Sequence, residues 1–178
     1  MKEIVFELNG QMRRAWAKPN ETLLELLRGK LGIHSPKEGC GRGDCGACTV
    51  LLDGRAVRGC LVLALEAEGH SVVTLEGVGR EAPSALQKAF VERNVFQCGF
   101  CAPGMILAAS ALLTKNPKPT EREIREALAG NLCRCTGYEP IVAAVQSVAA
   151  ATSAAKMAAK TVAKSPVRRK STPSRRRS

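Results

Sequence analysis

No run of apolar residues in this 178-residue chain approaches the roughly 20 that a membrane-spanning helix needs, which excludes a helical membrane protein. The opening MKEIVFELNG also lacks the apolar core of an export signal. One Lys is followed at once by an acid and then by a strand-like pattern, so the chain is expected in the cytoplasm. Thiols are kept reduced there, and the eight cysteines are therefore read as metal ligands or catalytic groups rather than as a disulfide framework. Histidine is scarce. His34 and His70 each stand alone outside the cysteine motifs and are read as surface or packing residues rather than ligands. Acid is missing from one end: Thr152 to Ser178 holds nine Lys or Arg and no Asp or Glu. The formal charge of +11 therefore belongs mainly to a tail, since the remaining eighteen basic residues face sixteen acids.

What is present folds. Hydrophobic residues make up 45% of the chain, enough for one domain or two small ones. Ile4, Phe6 and Leu8 alternate with polar neighbours, Asn9-Gly10 supplies a tight turn, and Gln11 to Ala17 returns, which predicts a β-hairpin. Asn20 is the expected cap of a helix with Leu23, Leu24, Leu26 and Leu27 on its apolar face, ending near Gly32. Thr49 to Leu52, the turn Asp53-Gly54 and Arg55 to Gly59 predict a second hairpin, and Ser71 to Leu75 a last strand. From Ser84 the period changes to that of helices, expected at Ser84 to Val95, Ala102 to Thr114, Glu121 to Ala129 behind a Thr120 capping box, and Ile141 to Ala151. Met105, Ile106, Leu107 and Leu112 are expected core of the second of these. The class is thus α+β: one sheet with one helix over residues 1–78, then after the Gly79 to Pro83 linker four helices over 79–151. Residues 152–178 form a basic tail: Lys156, Lys160 and Lys164 recur among Ala and can prolong the last helix, and the Ser/Pro/Arg end is expected to be disordered.

The cysteines fall into two sets. Cys40, Cys45 and Cys48 lie in CGRGDCGAC, with Cys60 after eleven intervening residues, and Cys-x4-Cys-x2-Cys followed by a distant Cys is the plant-type ferredoxin spacing for a 2Fe-2S cluster. Three thiolates converging from one short loop require tight backbone, which Gly39, Gly41, Gly43 and Gly46 permit, and amide N–H groups aimed at the sulfurs then help set the potential. Zinc sites usually take pairs of cysteines, which the third near cysteine here does not match. The second set is Cys98-x2-Cys101 in QCGFCAPG and Cys133-x-Cys135 in NLCRCTGYEP, each on a connector between two helices. A zinc ribbon uses such pairs equally, so this set alone does not decide; its place beside the first favours a second 2Fe-2S centre.

In this order, KEGCGRGDCGACTVLLDGRAVRGC followed by QCGFCAPGM and NLCRCTGY resembles the iron-sulfur small subunit of the molybdenum hydroxylases, the family of xanthine dehydrogenase, aldehyde oxidase and carbon monoxide dehydrogenase, over residues 2–150. The resemblance implies an N-terminal β-grasp, plant-ferredoxin-like domain and an all-α four-helix domain, each with a 2Fe-2S cluster. It implies a large partner subunit with a molybdopterin-type molybdenum cofactor and a medium subunit with FAD. Electrons would pass from molybdenum through Cys98, Cys101, Cys133 and Cys135, then through Cys40, Cys45, Cys48 and Cys60, towards FAD. Gln97 and Cys135 would lie against the pterin, where an amide that donates and accepts suits a mixed edge. The family's small subunits generally lack the basic tail. A stand-alone two-cluster electron carrier is the alternative, with the tail on an acidic partner or nucleic acid, although a solvated extension is the favoured reading of the tail.

Overall fold

A computed structural model describes residues 1–163, with side chains described to Ala151. Two hairpins open by the same device. Asn9 and Gly10 (φ 53° and 78°) join β1 (Lys2–Leu8) to β2 (Gln11–Ala17), and Asp53 and Gly54 (φ 47° and 76°) join β3 (Thr49–Leu52) to β4 (Arg55–Arg58). Positive φ at both central residues is the turn whose twist suits a two-residue hairpin. With β5 (Ser71–Val73) they form one five-stranded sheet in the order β2-β1-β5-β3-β4. β5 runs parallel to β1 and antiparallel to β3, so it joins the two hairpins. Ile4, Phe6 and Leu8 point from β1 to one face, where Leu23, Leu26 and Leu27 of α1 (Leu23–Gly29) cover them. Each such side chain taken fully from water contributes about 2 kcal/mol.

The second half is helical: α2 (Ala85–Glu92), α3 (Ala102–Lys115), α4 (Glu121–Leu128) and α5 (Glu139–Ala163). Its separate core joins Leu86 and Phe90 of α2, Met105 and Ile106 of α3, Ile124 and Leu128 of α4, and Ile141 and Val145 of α5. Ser84 and Thr120 each cap a helix reciprocally with Gln87 and Glu123. No helix among the described residues is long and apolar enough to cross a membrane.

Several expected boundaries move. The first helix is capped by Thr22, whose hydroxyl accepts from Glu25 N while Glu25 reaches back to Thr22 N, and not by Asn20; it ends at Gly29, short of Gly32. β5 stops at Val73 because Leu75 already belongs to a 3-10 turn over Leu75–Gly77. α2 closes at Glu92 rather than Val95, since Asn94 takes a left-handed φ of 49°. α5 starts at Glu139, with Pro140 in the first turn where its missing N–H costs nothing, and runs through Ala151 to Ala163. Residues 152–163 thus prolong the last helix: they are mostly Ala and Lys, strong helix formers, with no Gly or Pro among them. The expectation for residues 164–178 lies outside the described residues.

Candidate metal centres

The first loop is bent by glycine. Gly41, Gly43 and Gly46 have φ of 66°, 89° and 71°, a region costly for other residues. Gly39 does not share that conformation; it is needed for space, because a Cβ there would lie 2.9 Å from Cys45 Sγ. The curvature turns amides inward, and Cys45 N donates to Cys40 Sγ at 3.4 Å. Donation from the Arg42 and Cys45 amides pulls the half-buried Cys40 thiol down to about 6. Burial instead pushes Cys60 up to about 11, helped by the Cys48 thiol. Cys48 is itself buried, and its sulfur lies 3.4 Å from that of Cys60.

The second set is brought together by helix packing. Cys101 stands at the N-cap position of α3 and Cys133 follows α4, yet each thiol influences the titration of the other. Burial pushes Cys101 up to about 12, with Cys133 adding to the rise. At Cys133 burial acts the same way but is outweighed by hydrogen bonds, foremost from Thr136 Oγ1 at 3.2 Å, and the thiol falls below its ordinary value. The outer pair, Cys98 and Cys135, is exposed, with sulfurs 3.8 Å apart.

Among the described residues no three His, Cys, Asp or Glu side chains converge as a single-ion site requires. Two thiolates on one tetrahedral metal with bonds of about 2.3 Å are about 3.8 Å apart. Each set holds one sulfur pair near that spacing, Cys48 and Cys60 at 3.4 Å and Cys98 and Cys135 at 3.8 Å, and the two further cysteines of each set leave ligands for a second metal, as a sulfide-bridged pair of irons requires.

Around the second set stand residues whose part the sequence reading missed. The Tyr138 hydroxyl accepts from Cys133 N at 2.9 Å and donates to Asn131 O at 3.1 Å, which fixes the NLCRC turn from within. Tyr138 sits at φ 70°, a strained value for an aromatic residue, and the hydroxyl bonds repay it. Gln97 Nε2 donates to Cys135 O at 3.1 Å, so the two residues expected to face a pterin do lie together. An apolar groove of about 650 Å³ is lined by Phe90, Val91, Val95, Ile106 and Phe96, the residue before Gln97. The histidines stay apart from the sulfurs: His70 Nδ1 lies 2.6 Å from Asp53, and His34 N donates to Glu76.

Comparison with known proteins decides what such paired sites belong to. Residues 6–72 match a model described as a 2Fe-2S iron-sulfur cluster binding domain, and residues 74–146 one described as a 2Fe-2S binding domain. The nicotinate dehydrogenase small FeS subunit of Eubacterium barkeri is 53% identical over 144 residues, 80% of this chain and 92% of that protein. The xanthine dehydrogenase iron-sulfur-binding subunit of Escherichia coli O157:H7 is 51% identical over 138 residues, 76% of this chain and 86% of that one. The chain belongs to the molybdenum hydroxylase family, as a 2Fe-2S small subunit. A crystal structure of quinoline 2-oxidoreductase from Pseudomonas putida 86 contains a chain that superposes on this small subunit with a TM-score of 0.82 at 43% identity, covering 87% of it and 96% of that chain. The small subunit is thus an electron-transfer component of an oxidoreductase complex.

Proposed function

We propose that Cys40, Cys45, Cys48 and Cys60 hold one 2Fe-2S cluster in a β-grasp, plant-ferredoxin-like domain (1–78), and that Cys98, Cys101, Cys133 and Cys135 hold a second in a four-helix domain (79–151). The donor sets fit such clusters: all-sulfur, each with one pair near single-metal spacing, and supplied with N–H or O–H donors at Cys40 and Cys133. When bound, each cluster supplies a one-electron donor and acceptor with no open coordination position. This chain therefore binds no substrate itself.

The observation that carries the direction of transfer is the exposed Cys98 and Cys135 pair, with Gln97 on the Cys135 carbonyl and an apolar groove lined by the preceding Phe96. A subunit bearing a molybdopterin-type molybdenum cofactor docks there, with Gln97 and Cys135 against the pterin. Gln97 has one amide hydrogen committed to Cys135 O, which holds the side chain in place for the ring edge. Electrons then pass from the helical half to the sheet half and leave for FAD on a second partner. The link inside the chain is short: Leu132 N donates to Cys45 O at 2.9 Å, so a path from Cys45 to Cys133 leaves the covalent chain once. The complex is cytoplasmic, and the basic tail is not a nucleic-acid arm.

The test is iron, sulfide and molybdenum content, with subunit composition, of the complex recovered on a tagged copy of this chain from its native cell. About four irons per chain, with molybdenum and two larger subunits, is the expected result. Four irons without partner or molybdenum would mean a stand-alone carrier, and zinc in place of iron would overturn the ligand reading.

A further inference from the structure

The two halves meet through a polar network wedged between the cysteine loops. Thr49, next to Cys48, is fully buried; its hydroxyl donates to Gly46 O at 2.6 Å and accepts from Arg58 Nη1 at 2.8 Å and Asn131 Nδ2 at 3.0 Å. That fills the capacity of a hydroxyl. Asn131 is 2% exposed, and its Nδ2 also donates to Gly46 O at 3.0 Å. Arg58, two residues before Cys60, sends Nη2 across to Gly130 O at 2.6 Å.

Three glycines let these groups touch. A Cβ on Gly46 would fall 2.4 Å from Gly130 O, one on Gly104 of α3 2.5 Å from Gly46 O, and one on Gly130 2.2 Å from Arg58 Nη2. The side chains of Arg58 and Asn131 donate to backbone carbonyls and the Thr49 hydroxyl, all close to the cysteine motifs. An apolar contact would join two domains equally well; directed bonds to the flanks of the ligands instead fix one register.

We propose that Arg58 and Asn131 are positioning residues for electron transfer between the two centres. They lock the Gly46 backbone against Gly130 and so hold the Leu132 N–H on the Cys45 carbonyl. The reduced centre of the helical half gives up one electron and the oxidised centre of the sheet half takes it, with no proton or bond change. Transfer falls steeply as the through-space gap opens, so the latch acts on rate without touching either cluster. This rests on the reading of both cysteine sets as 2Fe-2S ligands.

The experiment compares the loaded full-length chain with Asn131→Ala and Arg58→Lys. The lysine keeps the charge but cannot reach both acceptors at once. Iron content, both electron paramagnetic resonance signals, hydrogen exchange at the Leu132 amide and the lag between reduction of the two centres after rapid mixing are recorded. Both variants are expected to keep about four irons. Leu132 should exchange faster, and the lag should lengthen on the order of tenfold, as misplacement by about 1 Å can cost that or more. Full iron with unchanged exchange and lag in Arg58→Lys overturns the proposal, even if Asn131→Ala fails to assemble. A parent chain without two iron-sulfur signals removes the cluster reading itself, and with it this inference.

Discussion

The two cysteine sites solve the same problem by different means. In the first, three of four cysteines lie in nine residues, and one loop with three glycines at positive φ presents them. In the second, Cys101 and Cys133 are separated by two helices, and side chains do the fixing: Tyr138 on the turn, Thr136 on the sulfur and Gln97 on the Cys135 carbonyl. A site made by backbone curvature is specified by adjacent residues. One made by packing depends on the whole helical half, and the difference should appear in which substitutions damage which centre.

Gly46→Val should do most harm, because it combines a positive φ with a Cβ 2.4 Å from Gly130 O at the seam of the halves. The strained backbone alone costs about 1–3 kcal/mol. Both centres should lose iron, whereas Gly41→Ala, whose Cβ meets only Glu38 Oε1 at 3.5 Å, should affect the first alone. Iron per chain and the thermal transition of each variant check this. Tyr138→Phe removes the hydroxyl between Cys133 N and Asn131 O, at a cost of about 1–3 kcal/mol for groups left unpaired. Loss of iron to a chelator should accelerate at the second centre only; equal acceleration at both would break the contrast.

Smaller effects sharpen the same contrast. Thr22→Ala and Thr120→Ala each delete one side of a capping box, for about 1 kcal/mol. Amide exchange should rise in the sheet half for the first and in the helical half for the second. Glu76 is smaller still. Burial alone would raise its pKa, but donation from Ser35 and Thr74 prevails and holds it below the ordinary 4.5. Its contribution is therefore full above pH 4.5 and is lost as pH falls through the lowered folded value. Glu76→Gln should flatten that acid limb in a pH series of urea melts, with the helical half unmoved.

Legibility in sequence followed the same division. Asn9-Gly10 and Asp53-Gly54 announced both hairpins, and the cysteine spacing announced the first site, because each signal sits within a few residues of its effect. Thr22 was legible too: Thr22-Leu-Leu-Glu25 is a capping-box pattern, and Asn20 beside Pro19 drew attention from it. The length of α5 was readable in part, since the lysine spacing in an Ala-rich stretch favours helix. Arg58 and Asn131 gave no such signal. Their partners in the other half lie 72 and 82–85 residues away, and nothing near them in the chain marks a contact that only the packing of α3 against the sheet creates.

The central claim is that the eight cysteines form two separate four-ligand centres, and its most direct test is electron paramagnetic resonance of the reduced chain beside Cys45→Ser and Cys133→Ser. The account predicts two distinguishable 2Fe-2S signals in the parent, with one lost in Cys45→Ser and the other in Cys133→Ser. A single signal in the parent, or loss of neither in the two variants, would contradict it.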